Sequence, residues 1–95
     1  MDSMNYEWDE NKNISNKKDH DGVSFEEAQT VWADPLLKEL YDTDHSATEE
    51  RFIAIGHSAR SRILMVVFCE RSAGTIRIIS ARKATSKEIK DYEEL

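Results

Sequence analysis

With 95 residues, 34% of them charged and only three glycines and one proline, the chain has the make-up of one ordinary globular domain, not of a disordered or fibrous segment. A lone cysteine, Cys69, excludes an intramolecular disulfide and suits a reducing compartment. The net charge of -6 speaks against a uniformly basic nucleic-acid binder, yet the charge is unevenly placed: residues 1–50 hold 4 Lys and Arg against 14 Asp and Glu, and residues 51–90 hold 9 against 2.

The acidic start has no apolar h-region, so no signal peptide is expected. Asn5 to Asp9 reads as a short strand with two aromatics, and Glu10 to Lys18 as a short, weakly anchored helix with Ile14 its main apolar residue. Asp19-His20-Asp21-Gly22 is a turn. Ser24 and Glu27 have the spacing of a capping box, and Phe25, Ala28, Val31 and Trp32 follow as the apolar stripe of a helix. Asp34-Pro35 ends that helix, because the residue before a proline is pushed out of helical geometry.

Strands are expected at Leu36–Tyr41, Glu50–His57, Ile63–Glu70 and Gly74–Lys83, with a polar loop from Asp42 to Glu49. The apolar run Ile63–Cys69 marks the most buried strand, covered on both faces, and is far too short to span a bilayer. Thr85 and Glu88 form a second capping box, opening a helix through Ile89 and Tyr92. The expectation is an α+β domain over 1–95 in the order β-α-α-β-β-β-β-α, a twisted antiparallel sheet with helices packed on it. Residues 1–4 and 94–95 are expected to be loose tails, and the protein soluble and cytoplasmic.

In the last strand, strict alternation puts Ile76, Ile78, Ser80 and Arg82 on one face and Arg77 on the other. An arginine at the end of a core-facing row needs an anion. It is either a phosphate ligand or the partner of a helix carboxylate such as Glu27 or Glu88.

Tyr6-Glu7-Trp8-Asp9, Lys18 and His20, the run Gly22–Ala28, Asp34-Pro35, Asp44-His45-Ser46, Glu50-Arg51-Phe52, Ile55-Gly56 and the run Ile76–Thr85 resemble the BrnT family in order and spacing over nearly the whole chain. One departure is the pair Asp19 and Asp21, which interposes extra acidic residues around His20. The resemblance implies a small RelE-like fold and the toxin of a type II toxin–antitoxin module. It also implies a metal-independent endoribonuclease that inhibits translation, and a cognate DNA-binding, BrnA-like antitoxin that neutralises it in a hetero-oligomer.

Cleaving RNA without a metal takes a proton acceptor for the 2′-hydroxyl, cations for the phosphorane-like transition state and a proton donor for the leaving oxygen. On that chemistry Arg82, Arg51 and His20 are the catalytic candidates. Trp8, Lys18, Arg60, Arg62, Lys83 and Tyr92 are the RNA-binding candidates, through base stacking or phosphate contact. Each has a plain structural reading too: Trp8 as core, Tyr92 as part of a helix stripe, His20 as a solvated loop residue. His45 reads as a solvated loop residue and His57 is undecided. No Cys or His pair has metal-site spacing and no Gly-rich phosphate loop occurs, so no cofactor is expected. Cys69 reads as a small buried hydrophobe. The rival reading is a non-catalytic interaction module whose basic face docks an acidic partner.

Overall fold

The computed structural model describes residues 4–72 and 74–94. The tails expected at 1–3 and at 95 lie outside the described residues, whereas Glu94 closes the last helix as its C-cap. The elements are β1 (Asn5–Glu7), α1 (Glu10–Asp19), α2 (Phe25–Ala28) running into a 3-10 segment (Gln29–Ala33), β2 (Lys38–Tyr41), β3 (Phe52–His57), β4 (Ile63–Ser72), β5 (Thr75–Lys83) and α3 (Ser86–Glu93). Their order matches the expected one. The five strands form one sheet in the order β1-β5-β4-β3-β2. The sheet is mixed, not purely antiparallel: β1 adds in parallel beside β5, Tyr6 opposite Ile76. No helix among the described residues is long and apolar enough to cross a membrane.

One face of the sheet carries the core. Ala54, Leu64, Val66, Phe68, Ile76, Ile78 and Ala81 pack against Val23, Phe25, Ala28 and Val31. Tyr6, Trp32, Phe68 and Phe52 continue this layer as a chain of aromatic contacts with centroids 5.0–5.6 Å apart. The β4 run is covered completely on this side only. Ile63, Met65 and Val67 on its other face remain part-exposed, because only α3 reaches that side.

Helix α1 is longer and better anchored than its apolar content suggests. Ile14 is exposed, and the anchors are two buried asparagines. Asn16 donates to the carbonyls of Val23 (2.9 Å) and Ala81 (2.7 Å) and accepts from Ala81 N–H (3.1 Å), pairing with β5 as a strand residue would. Asn13 accepts from Phe25 N–H (2.8 Å) and donates to Glu26 (2.9 Å). The Ser24 box is half made: Ser24 Oγ accepts from Glu27 N–H, but the Glu27 carboxylate turns inward to other partners. The Thr85–Glu88 box is complete.

A β-bulge overturns the facing read from strict alternation. The β4–β5 register shifts between Val67 and Phe68, so Ile78 opposes Phe68, Ser80 opposes Val67, and Ile79 is the extra residue. Ile76, Ile78 and Ala81 therefore face the core. Ser80 and Arg82 stand on the opposite face, the same one as Arg77. The arginine at the end of the strand does not terminate a core row.

Candidate active site on the open sheet face

That opposite face is covered at one end by α3 and open at the other, and its open half is where charge collects. Three arginines and two glutamates form a continuous chain across it. Arg77 Nη1 lies 2.9 Å from Glu7, and the same Glu7 oxygen is 3.9 Å from Arg71 Nε. Arg71 Nη1 lies 3.4 Å from Glu49, which is 3.8 Å from Arg51 Nη2. Three cations share two anions, which leaves one positive charge in excess.

The chain ends at a pocket of about 180 Å³ lined by Asp42, His45, Arg51, Val67, Ile79 and Ser80. The loop between β2 and β3 builds it. Asp42 N–H donates to Arg51 C=O (2.9 Å), Ser46 Oγ donates to Asp42 C=O (2.5 Å), and Arg51 N–H donates back to Ser46 Oγ (3.0 Å). These bonds fix Arg51 and His45 relative to each other. Arg51 lines this pocket, and its Nε–H, itself buried, has no hydrogen-bond partner among the described residues. A buried donor left unpaired costs ~1–3 kcal/mol. The buried Asp42 carboxylate lies 3.2 Å from Nδ1 of the exposed His45. Holding Nδ1–H in this way leaves Nε2 as the nitrogen free to accept or deliver a proton.

The sequence candidates divide by what they touch. Arg51 is in this pocket. Arg82 is on the same face but engaged beneath α3. It donates Nη1 (2.8 Å) and Nη2 (2.9 Å) to Glu88, with Nη1 also reaching Lys83 C=O. The Arg82 hydrogen bonds, with Thr85 N–H adding to them, outweigh burial and bring the Glu88 pKa down to about 2. Arg62 grips Glu27 at 2.6 and 3.0 Å in a nearly buried pair that Ser58 completes. This pairing lowers the Glu27 pKa and raises that of Arg62.

Trp8 packs edge-on against Phe25 and donates Nε1 to Glu10, so it serves the core. Tyr92 is buried, its hydroxyl donating to Asp34 Oδ2 and lying 3.2 Å from His57 Nδ1. Burial, then the bond to Asp34, pushes the phenol up to about 12. Asp34 Oδ2 also accepts from His57 N–H, so this cluster ties α3 to the end of β3. Lys18 and His20 belong to α1 and its C-cap, the helix whose Asn16 bonds the β5 backbone at Ala81. Neither lines the pocket that Arg51 lines. Arg60 is exposed in the turn between β3 and β4, and Lys83 is exposed at the end of β5. Sequence reasoning passed over Asp42 and Arg71, read Arg77 as a solvated strand residue facing away from Arg82, and set His45 aside. The Asp42–His45 spacing was the one visible signal; the arginine chain needs the strand register. Among the described residues no group of three or more His, Cys, Asp or Glu converges as a metal site would require.

Comparison with known proteins places the chain, though not the pocket, in a family. The model of the BrnT ribonuclease toxin of type II toxin–antitoxin systems matches residues 8–88. The chain belongs to the BrnT family. Its fold is also that of a solved member: the crystal structure of the Brucella abortus ribonuclease toxin BrnT superposes with a TM-score of 0.67 at 26% identity, covering 88% of this chain and 100% of that one. No curated protein matches the sequence. The family is one of ribonuclease toxins, which implies an RNA substrate, and its membership of type II toxin–antitoxin systems implies an antitoxin partner.

Proposed function

We propose that RNA is cleaved in the Arg51 pocket, by a mechanism that uses side chains alone. The observation that carries this reading is the unpaired, buried Nε–H of Arg51 beside a histidine oriented by Asp42. The Arg51 guanidinium holds two oxygens of the scissile phosphate and stabilises the charge that grows on them. His45 Nε2 takes the proton from the adjacent 2′-hydroxyl, whose oxygen attacks phosphorus as the 5′-oxygen leaves. The leaving 5′-oxygen takes its proton from water and the imidazolium gives its own back to water, so the products are a 2′,3′-cyclic phosphate and a 5′-hydroxyl end. Asp42 stabilises the imidazolium formed on the way. Arg71 and Arg77 lie along the path of the flanking phosphates, exchanging Glu7 and Glu49 for RNA. Cut messages cannot be translated, which makes the chain a cytoplasmic inhibitor of translation. Its neutralisation is the task of an antitoxin bound to it.

The test is cleavage of a short labelled RNA in EDTA. Arg51→Ala is expected to lower kcat/KM by ~10²–10³ and His45→Gln by a similar factor, both measured at temperatures where the variants remain folded. Parent-like rates in both variants, or no cleavage by the parent at any concentration, would overturn the reading.

A further inference from the structure

The bulge in β5 decides where one hydroxyl goes. With unbroken alternation Ser80 would join Ile76 and Ile78 against the core, where a hydroxyl needs a partner. The extra residue, Ile79, turns Ser80 to the open face and passes the core position to the small Ala81, which is 2% exposed. A bulge interrupts the ladder, and such interruptions recur where a side chain is re-aimed beside an active site. Here the half-buried Ser80 lines the same pocket as Arg51 and His45. Ser46, the hydroxyl of the pocket loop, is spent on Asp42 C=O and Arg51 N–H. Ser80 Oγ makes no hydrogen bond with the described residues.

We propose that Ser80 is a catalytic residue, its hydroxyl donating a hydrogen bond to a non-bridging oxygen of the scissile phosphate. The inference rests on the reading above that RNA is cut in the Arg51 pocket, and it adds a second phosphate ligand there. Ile53 of β3 and Ser80 of β5 both pair with Val67 of β4, and Arg51 comes two residues before Ile53. Two strand spacings put the backbones of β3 and β5 ~10 Å apart across Val67. A phosphate over Val67 meets the guanidinium from the β3 side and the hydroxyl from the β5 side. A neutral donor binds the singly charged diester weakly and the phosphorane more strongly, because charge grows on the oxygen it holds. Its contribution therefore falls on kcat more than on KM. Ser80 moves no proton, and the transfers at His45 and water are unchanged.

The experiment measures kcat and KM on a short RNA in EDTA for Ser80→Thr and Ser80→Val, at temperatures where both remain folded. Both replacements are β-branched and suit a strand, and they differ from each other chiefly in the hydroxyl. Ser80→Val is expected to lower kcat by ~10–10² with KM within ~3-fold, the worth of a hydrogen bond to a charged group. Ser80→Thr is expected to stay within ~3-fold of the parent. The same RNA with sulfur, a poorer acceptor, at either non-bridging oxygen of the scissile phosphate supplies a readout that a structural role leaves unmoved. One of the two diastereomers is expected to be cut ~10-fold more slowly than the oxygen form by the parent, and to lose that penalty in Ser80→Val. Equal kcat in Ser80→Thr and Ser80→Val, or sulfur penalties that Ser80→Val keeps, would overturn the proposal. If Arg51→Ala and His45→Gln are impaired while Ser80→Val is not, Ser80 falls alone and the pocket stands. Parent-like cleavage by all three removes the pocket and Ser80 together.

Discussion

Arg51 and Arg62 both lie beside a β-hairpin or loop of the basic half of the chain, and they are handled in opposite ways. The Arg62 fork is consumed: Nε and Nη2 bind the two oxygens of Glu27, and Nη1 donates to Asp21 C=O. Arg82 repeats that solution with Glu88. Arg51 has one loose contact, 3.8 Å to Glu49, and a buried donor with nothing to bind. A guanidinium that folding has satisfied is part of the scaffold. One that folding leaves unsatisfied, in a pocket with an oriented histidine, is the one we propose meets the RNA phosphate. The contrast separates stability from activity within one residue type.

The largest effect expected is on the scaffold side. Arg62→Ala strands the nearly buried Glu27 carboxylate with only Ser58, and breaking such a pair costs ~3–5 kcal/mol. For a domain of this size the Tm falls by more than ~10 °C. Thermal unfolding of Arg62→Ala and of the double variant Arg62→Met with Glu27→Leu checks it. The double variant should recover much of the loss, since apolar replacement of both partners removes the stranded charge. A Tm drop of a degree or two in the single variant would show that the pair is ornamental.

Arg82 gives a smaller and pH-dependent effect. The Glu88 pKa is lowered from its ordinary 4.5 to about 2 in the folded chain. A depressed carboxylate contributes stability that is complete above the unfolded pKa and is lost as pH falls through the folded one. The stability gap between parent and Arg82→Ala should therefore be full at neutral pH and shrink between pH 4.5 and about 2. Denaturant midpoints measured across that window read it directly. Cleavage by Arg82→Ala, at temperatures where it remains folded, should stay within a few-fold of the parent. A loss of ~10² or more would move the phosphate site beneath α3 and undo the division drawn here.

How much of this was legible beforehand varies with the physics involved. Element order came from apolar runs, capping pairs and Asp34-Pro35, all local signals. The facing of β5 did not, because alternation assumes an unbroken ladder and Ile79 adds one residue to it. In hindsight the doublet Ile78-Ile79, followed by the small Ala81, is the trace of that bulge. Helix α1 was undervalued because apolar counting cannot see that Asn13 and Asn16, three residues apart, bind the backbones of Phe25 and Ala81. Glu27 and Glu88 were both visible as partners for an arginine. Their assignment to Arg62 and Arg82 depended on which strand ends meet α2 and α3. The Arg77–Glu7–Arg71–Glu49–Arg51 chain joins β1, β5, β4 and the loop before β3, and no local pattern carries it.

The least effect is expected where Arg71 and Arg77 share their glutamates, and it sharpens the contrast by supplying an intermediate class. Both arginines are part-exposed and paired at the surface, where an ion pair contributes ~0–1 kcal/mol. Removing either should leave the Tm almost unmoved. If they follow the RNA backbone, each substitution to Gln should weaken binding modestly and lower the slope of log affinity against log salt by ~0.7, one phosphate's worth on a single strand. Cleavage at saturating RNA should hardly change, since neither contacts the pocket of Arg51. Binding isotherms at several salt concentrations with an RNA of uncleavable 2′-deoxy form isolate this contribution from chemistry. A salt slope equal to the parent's in Arg71→Gln and Arg77→Gln would confine RNA contact to Arg51. The three-cation chain would then be a device for holding β1 to the sheet through Glu7.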